Sequence, residues 1–136
     1  MVVGSVGTGC GGGGLDAVAA IHIAVRRVPL ASVRDLLRPT FGPDESQIEA
    51  DVESGAAHCW QIGQAAMITR REGRELVVVC LAGKGLRQIA PAICEAARRA
   101  GCETIRFHTQ RPGMWRLLRH VGAELREYVF EIKVSP

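Results

Sequence analysis

Apolar residues recur along this chain with two different periods, and the change from one to the other is clearest between Glu75 and Gly101. Glu75-Leu-Val-Val-Val-Cys80 is a continuous apolar run with three valines. β-Branched residues favour a strand, and an uninterrupted run suits one buried on both faces. After Gly83-Lys84-Gly85 the spacing becomes helical: Leu86, Ile89, Ile93 and Ala97 fall on one face. This predicts a helix from Leu86 to Ala100, ended by Gly101. Pro91 lies about two turns in, removes one backbone bond and is expected to kink the helix.

The same patterns extend to both sides. From Leu15 to Arg27 the first part reads as a short helix; then Ile21, Ile23 and Val25 alternate with His22, Ala24 and Arg26, as in a strand, and Pro29 closes it. Leu30, Val33, Leu36 and Leu37 mark a short amphipathic helix that Pro39 should stop. Phe41-Gly-Pro43 reads as a turn. Asp44 or Ser46 is placed to cap a second helix, with Ile48 and Val52 inward and Gly55 at its end. Ala57 to Ile62 and Gln64 to Arg70 read as strands broken at Gly63, and Arg71-Glu-Gly-Arg74 as a hairpin turn into the central strand. After the central helix come a strand, Glu103 to His108, and a loop, Thr109 to Pro112. A short helix follows from Gly113 to Val121, with Met114, Leu117, Leu118 and Val121 inward and Gly122 as C-cap. A last strand runs from about Leu125 to Val134, with Tyr128, Phe130, Ile132 and Val134 on one face. This order predicts an α+β domain, three-layered in the α/β manner, with a mixed, mostly antiparallel central sheet flanked by helices.

Residues 1–14 do not share this patterning. Their glycine run would lose much entropy on ordering, so 1–14 is expected to be a flexible tail and 15–136 a single domain. Gly7-Thr-Gly9-Cys-Gly-Gly12 formally matches G-x-G-x-x-G, but any glycine run does so. No Lys-Ser or Lys-Thr follows, and no acidic strand end stands at the expected distance. No basic start or continuous apolar core precedes Cys10, as a secretory signal would require.

Composition excludes several function classes. A length of 136 residues, 47% apolar and 23% charged, is that of a soluble globular domain. A net charge of +3 and 4% aromatics argue against a nucleic-acid interface. No segment has the roughly 20 apolar residues of a membrane span. The five cysteines, Cys10, Cys59, Cys80, Cys94 and Cys102, include no C-x-x-C pair and are expected to be free thiols in a reducing compartment. They lack metal-site spacing.

Candidate chemistry gathers around the central strand. The turn Gly83-Lys84-Gly85 leaves N–H groups open at a helix N-terminus, where a phosphate can be held, and Lys84 and Arg87 can neutralise it. Glu75, at the start of the central strand, is a candidate base, and His108, at the end of the next strand, a candidate base or acid. Strand ends beside a helix N-terminus are where ligands sit in open α/β sheets. Arg106, Arg111, Arg116 and Arg119 read as a basic rim, Trp60 and Trp115 as core or groove wall. The acidic residues Asp44, Glu45, Glu49, Asp51 and Glu53 read as a solvated helix face.

The element order resembles that of the GNAT superfamily of acyl-coenzyme A N-acyltransferases over residues from about 23 to 134. Gly83-Lys84-Gly85 opening a helix resembles the family's pyrophosphate loop. Ala96-Ala-Arg-Arg-Ala-Gly101-Cys-Glu-Thr-Ile105 resembles the end of its central helix and the following strand. Leu117-Leu-Arg-His-Val-Gly122-Ala resembles the short helix before its last strand. The resemblance implies that acetyl-CoA lies in a cleft where two parallel strands splay, held by Leu81, Gly83, Lys84, Gly85, Leu86 and Arg87. It also implies that a substrate amine attacks the thioester directly. The chain departs from the family pattern at Cys80, where the glycine motif begins with Arg or Gln, and at Leu118, which aligns with a proton-donating tyrosine. Two readings follow. One is an N-acetyltransferase acting on an unknown amine acceptor. The other is an inactive GNAT-like module of phage or prophage type with a protein partner. Both place the chain in the cytoplasm or with a phage, and neither needs a metal.

Overall fold

The computed structural model describes residues 2–7, 23–108, 113–124 and 132–133. Among the described residues six strands form one sheet: β1 (Val2–Gly7), β2 (Val25–Arg27), β3 (His58–Ile62), β4 (Ala65–Glu72), β5 (Glu75–Gly83) and β6 (Thr104–His108). Their spatial order is β1-β6-β5-β4-β3-β2. β5 and β6 run parallel and the other described pairs antiparallel. The helices are α1 (Leu30–Phe41), α2 (Glu45–Ser54), α3 (Leu86–Arg99) and α4 (Gly113–Leu118), with 3₁₀ turns at Gly42–Asp44 and Arg119–Val121. This is the mixed, mostly antiparallel α+β architecture that the hydrophobic pattern predicts.

Two cores lie on the two faces of the sheet. On one, Ile89, Ala90, Ile93, Cys94 and Ala97 of α3 pack with Met67, Val78, Leu81, Ile105, Phe107 and Leu118. On the other, Leu30, Val33, Leu37 and Phe41 of α1 and Ile48 of α2 cover Cys59, Ala66, Ile68, Cys80 and Ala82. β5 therefore feeds both faces, which is why its sequence is a run and not an alternation.

α3 ends as its glycine predicts. The Cys102 N–H reaches the Ala97 carbonyl at 2.9 Å and the Gly101 N–H reaches Arg98 at 3.0 Å, the paired bonds of a Schellman cap. Arg71 adds a hydrogen bond from Nη1 to the Ala100 carbonyl at 2.6 Å.

Several expectations are corrected. α1 does not stop at Pro39 but runs through it to Phe41. The lost backbone bond is offset by burial of Phe41, and the Thr40 hydroxyl donates to the Leu37 carbonyl at 2.7 Å. Leu36, expected inward, is 40% exposed; Phe41 takes the place on the buried face. Asp44, which also ends the preceding 3₁₀ turn, does stand at the N-cap of α2 but makes no side-chain cap hydrogen bond, and Ser46 lies inside the helix. α3 runs through the exposed Pro91 as one helix, as its spacing predicts. Of the alternating stretch expected from Ile21, residues 21 and 22 lie outside the described residues; among the described residues that follow, Val25–Arg27 form a strand and pair with Ile62–Trp60. The tail expectation is corrected at Val2–Gly7, which pair antiparallel with Thr104–His108 and so satisfy backbone groups that β6 would otherwise leave open. Cys59, Cys80 and Cys102 are buried free thiols, whereas Cys94 is disulfide-bonded, a pairing that sequence spacing does not reveal. The expected early helix, the Thr109–Pro112 loop, the strand from Leu125 with Tyr128 as far as residue 131, and Cys10 lie outside the described residues, as do the side chains of Trp115 and Leu117; the described residues 132 and 133 are not in a strand, and Ile132 is 84% exposed.

Candidate functional site

β5 and β6 are held together over Glu75–Val78 and Thr104–Phe107 only. Beyond that, β5 continues to Gly83 while β6 ends at His108. A cavity of about 430 Å³ opens where they part. Its walls are Val78 to Leu81 from β5, Phe107 and His108 from β6, Met114 from α4, the C-terminal end of α1 from Pro39 to Phe41, the 3₁₀ turn Gly42–Asp44 and Ile48 of α2.

The β5 wall carries an irregularity that the sequence reading did not single out. Ile68 pairs with Cys80 and Thr69 with Val78, so no β4 residue stands opposite Val79. This is a β-bulge, which takes one residue out of the ladder. It also changes the phase of the strand. Val78 faces the α3 core, while Val79 and Cys80 both face α1; Leu81 then returns to the α3 core. Nothing in a run of valines signals where such an extra residue will sit.

The polar groups at the cavity come from separate elements. Thr40 stands in the last turn of α1, Asp44 on the 3₁₀ turn before α2, Cys80 on β5 and His108 on β6. Burial pushes the Cys80 thiol up from its ordinary pKa; hydrogen bonding with Thr40 opposes this and the Asp44 carboxylate adds to it. Cys80 is thus a protonated thiol, not a nucleophile waiting in the cleft. His108 is held below its ordinary value, first by partial burial, then by the nearby Arg106 and Arg70 cations, with Glu72 opposing them. Its imidazole is therefore neutral and able to accept a proton near pH 7. Asp44 was legible only as a cap and helix-face residue and Thr40 carried no signal of its own, because their approach to β5 is a long-range contact.

The other sequence candidates separate into two groups. Leu81 lines the cavity. Gly83, Lys84, Gly85, Leu86 and Arg87 form the turn just beyond it and do not line it. Gly83, at φ +125°, is required by packing: a Cβ there would stand 2.5 Å from the Ala65 Cα and the Gln64 carbonyl oxygen. Gly85, at φ +75°, precedes α3, and its carbonyl accepts from the N–H groups of Gln88 and Ile89. The N–H groups of Leu86 and Arg87 come before any intrahelical acceptor, as at every helix start. Lys84 and Arg87 are exposed beside them.

Glu75 is not brought to His108. It pairs with Thr104, four residues upstream along β6, a separation of about 13 Å along the strand. There its carboxylate accepts from the Thr104 hydroxyl at 3.2 Å and pairs with Arg106 at 3.4 Å. Of the basic rim, Arg106 is tied into this cluster; Arg111 lies outside the described residues. Among the described residues no group of three or more His, Cys, Asp or Glu could hold a metal ion. No described helix is long and apolar enough to cross a membrane.

A solved structure described as a GCN5-related N-acetyltransferase from Kribbella flavida superposes over 93% of this chain with a TM-score of 0.59. This chain has the GNAT fold. The identity is 14%, and the matched part spans 36% of the neighbour's length. No family model and no curated protein matches the sequence. Leu118 stands 1% exposed within the α3-side core of this GNAT fold, so it adds no proton donor to the cleft.

Proposed function

We propose that the protein is an acyl-CoA-dependent N-acyltransferase, with acetyl-CoA as donor and an amine as acceptor. The observation that carries this reading is the cavity at the parting of β5 and β6, lined by the bulged Val79 and by His108. The donor supplies an acyl group already activated as a thioester. The chain's own residues divide the remaining work. The open N–H groups of Leu86 and Arg87, with the Lys84 and Arg87 side chains, suit a pyrophosphate beside the cavity. The bulge at Val79 takes backbone polar groups out of the ladder at the wall where an acyl carbonyl would lie. His108, neutral and at the cavity, would accept the proton of the attacking amine; the C–N bond forms as the thioester C–S bond breaks, and the imidazolium returns that proton to the departing CoA thiolate. Glu75, occupied by Thr104 and Arg106 away from the cavity, has no part in this assignment.

Calorimetric titration with acetyl-CoA, on the protein and on Gly85→Trp, tests the donor site. We expect micromolar binding that the variant loses. In the presence of an accepted amine, His108→Gln should then lower kcat/KM by about 10²–10⁴-fold, the usual worth of a general base. A second reading, a non-catalytic GNAT-fold module with a protein partner, is favoured by Leu118, a buried hydrocarbon side chain in a segment where the resemblance expects an acid. Absence of binding at millimolar acetyl-CoA would leave that reading standing alone.

A further inference from the structure

The part of the sheet beside the cavity carries a charged cluster that the proposed chemistry does not use directly. Thr104, Arg106 and His108 alternate with the buried Ile105 and Phe107, so they share the face of β6 that looks toward the α1 side. Arg106 and His108 are two residues apart on that face, about 7 Å along the strand. The Arg106 guanidinium is fixed: Nη2 lies 3.1 Å from Glu72 Oε1 and Nη1 lies 3.4 Å from Glu75 Oε1. Its Nε is buried without a hydrogen-bond partner, so the group is not free to swing into solvent. Arg70 joins the same cluster through Glu72, at 2.8 Å.

We propose that Arg106 is a positioning residue for His108: its fixed cation, one strand step away on the same face and nearer than its carboxylate partners, disfavours a second positive charge on the imidazole. The base role rests on the function proposed above; the electrostatic coupling does not. The two carboxylates do not cancel the cation at His108. Glu75 pairs with Arg106 from the row of Thr104, a further step away from the imidazole, and Glu72 divides its charge between Arg106 and Arg70. Among the described residues that line the cavity with His108, the titratable groups are the protonated Cys80 thiol of β5 and the Asp44 carboxylate, and Met114 of α4 is uncharged. The chain's amino terminus adds a small effect of the same sign as the arginines. A half-buried cation is screened less than a solvated one, so its field reaches the ring.

The test is an NMR titration of the His108 ring protons in the wild type, Arg106→Gln, Arg106→Lys and Glu72→Gln, with His108→Asn used to assign the signal. We expect the titration midpoint to rise in Arg106→Gln, to stay near the wild-type position in Arg106→Lys, and to fall in Glu72→Gln. Arg70→Gln, at a more exposed site, should move it the same way as Arg106→Gln, and serves if the latter does not fold. A midpoint that stays put or falls in the arginine-to-glutamine variants would overturn the proposal. The readout needs no enzymatic activity. If acetyl transfer is absent, the function proposed above fails while this titration still decides the coupling. If transfer is present, the acid limb of kcat/KM should shift to higher pH in Arg106→Gln, and an unshifted limb would count against the positioning role.

Discussion

Gly83 and Gly85 look equivalent in the sequence and are not equivalent in the fold. Both have positive φ, but a Cβ on Gly83 meets the backbone of Ala65 and Gln64 at 2.5 Å, whereas on Gly85 its nearest neighbour is Gln88 Oε1 at 3.7 Å. Gly85→Ala should cost about 1–2 kcal/mol, the left-handed penalty alone. Gly83→Ala must in addition push β5 away from the β3–β4 turn and should cost clearly more. Paired denaturant melts of the two variants check this; equal losses would mean that the close approach at Gly83 is not rigid. The candidate His108 was readable as a polar residue ending an apolar strand. The candidate Glu75 was readable in the same way, yet a position at the other end of the parallel pair gave it a structural partner instead. Sequence reveals that a residue ends a strand, but not which strand end meets a cavity.

At the scale of elements, periodicity predicted the helices and the meander because each buries one face or two, and burial fixes side-chain spacing. It misplaced the end of α1 because a local rule, that proline stops a helix, was weighed without the long-range gain from Phe41. That gain can be measured. Phe41 is 3% exposed in the α1-side core and also lines the cavity. Phe41→Ala should cost roughly 3–5 kcal/mol in chemical denaturation, as large-to-small aromatic changes in cores do. It should also loosen the α1–α2 connection, read as faster amide exchange at Thr40 to Asp44. A loss near zero would show that α1 continues past Pro39 for some other reason. The bulge at Val79 is the other element-level feature absent from the sequence reading, since it depends on the register of β4 against β5.

For the whole molecule, the charged cluster links the cavity to stability. His108 has a folded pKa below its ordinary value near 6.5, set first by burial. As pH falls below about 6.5 the unfolded chain takes up the proton first. Stability is therefore complete above that value and declines as pH drops toward the folded pKa. Glu72 is also held below its ordinary carboxylate value, mainly by its hydrogen bond from Arg70, so its contribution is lost at still lower pH. Thermal melts across this range should show a decline beginning below about pH 6.5 in the wild type. That first decline should be reduced in His108→Gln, while the later one persists; an unchanged first decline would show that another group is responsible.

The sequence by itself determined the alternation of strands and helices, the two-faced central strand, the glycine turn opening α3 and hence the fold class. Each of these follows from spacing along the chain, because burying a face imposes a period and a tight turn imposes a residue type. Only the tertiary structure decided what surrounds the cavity. The meeting of Thr40 and Asp44 with Cys80, the single bulged residue, the separation of Glu75 from His108, and the closeness of Arg106 to that histidine all depend on strand register and on contacts between residues far apart in the chain. Local patterns carry no record of such contacts, because the energy that selects them is gained only when the whole sheet and both of its helical layers are assembled.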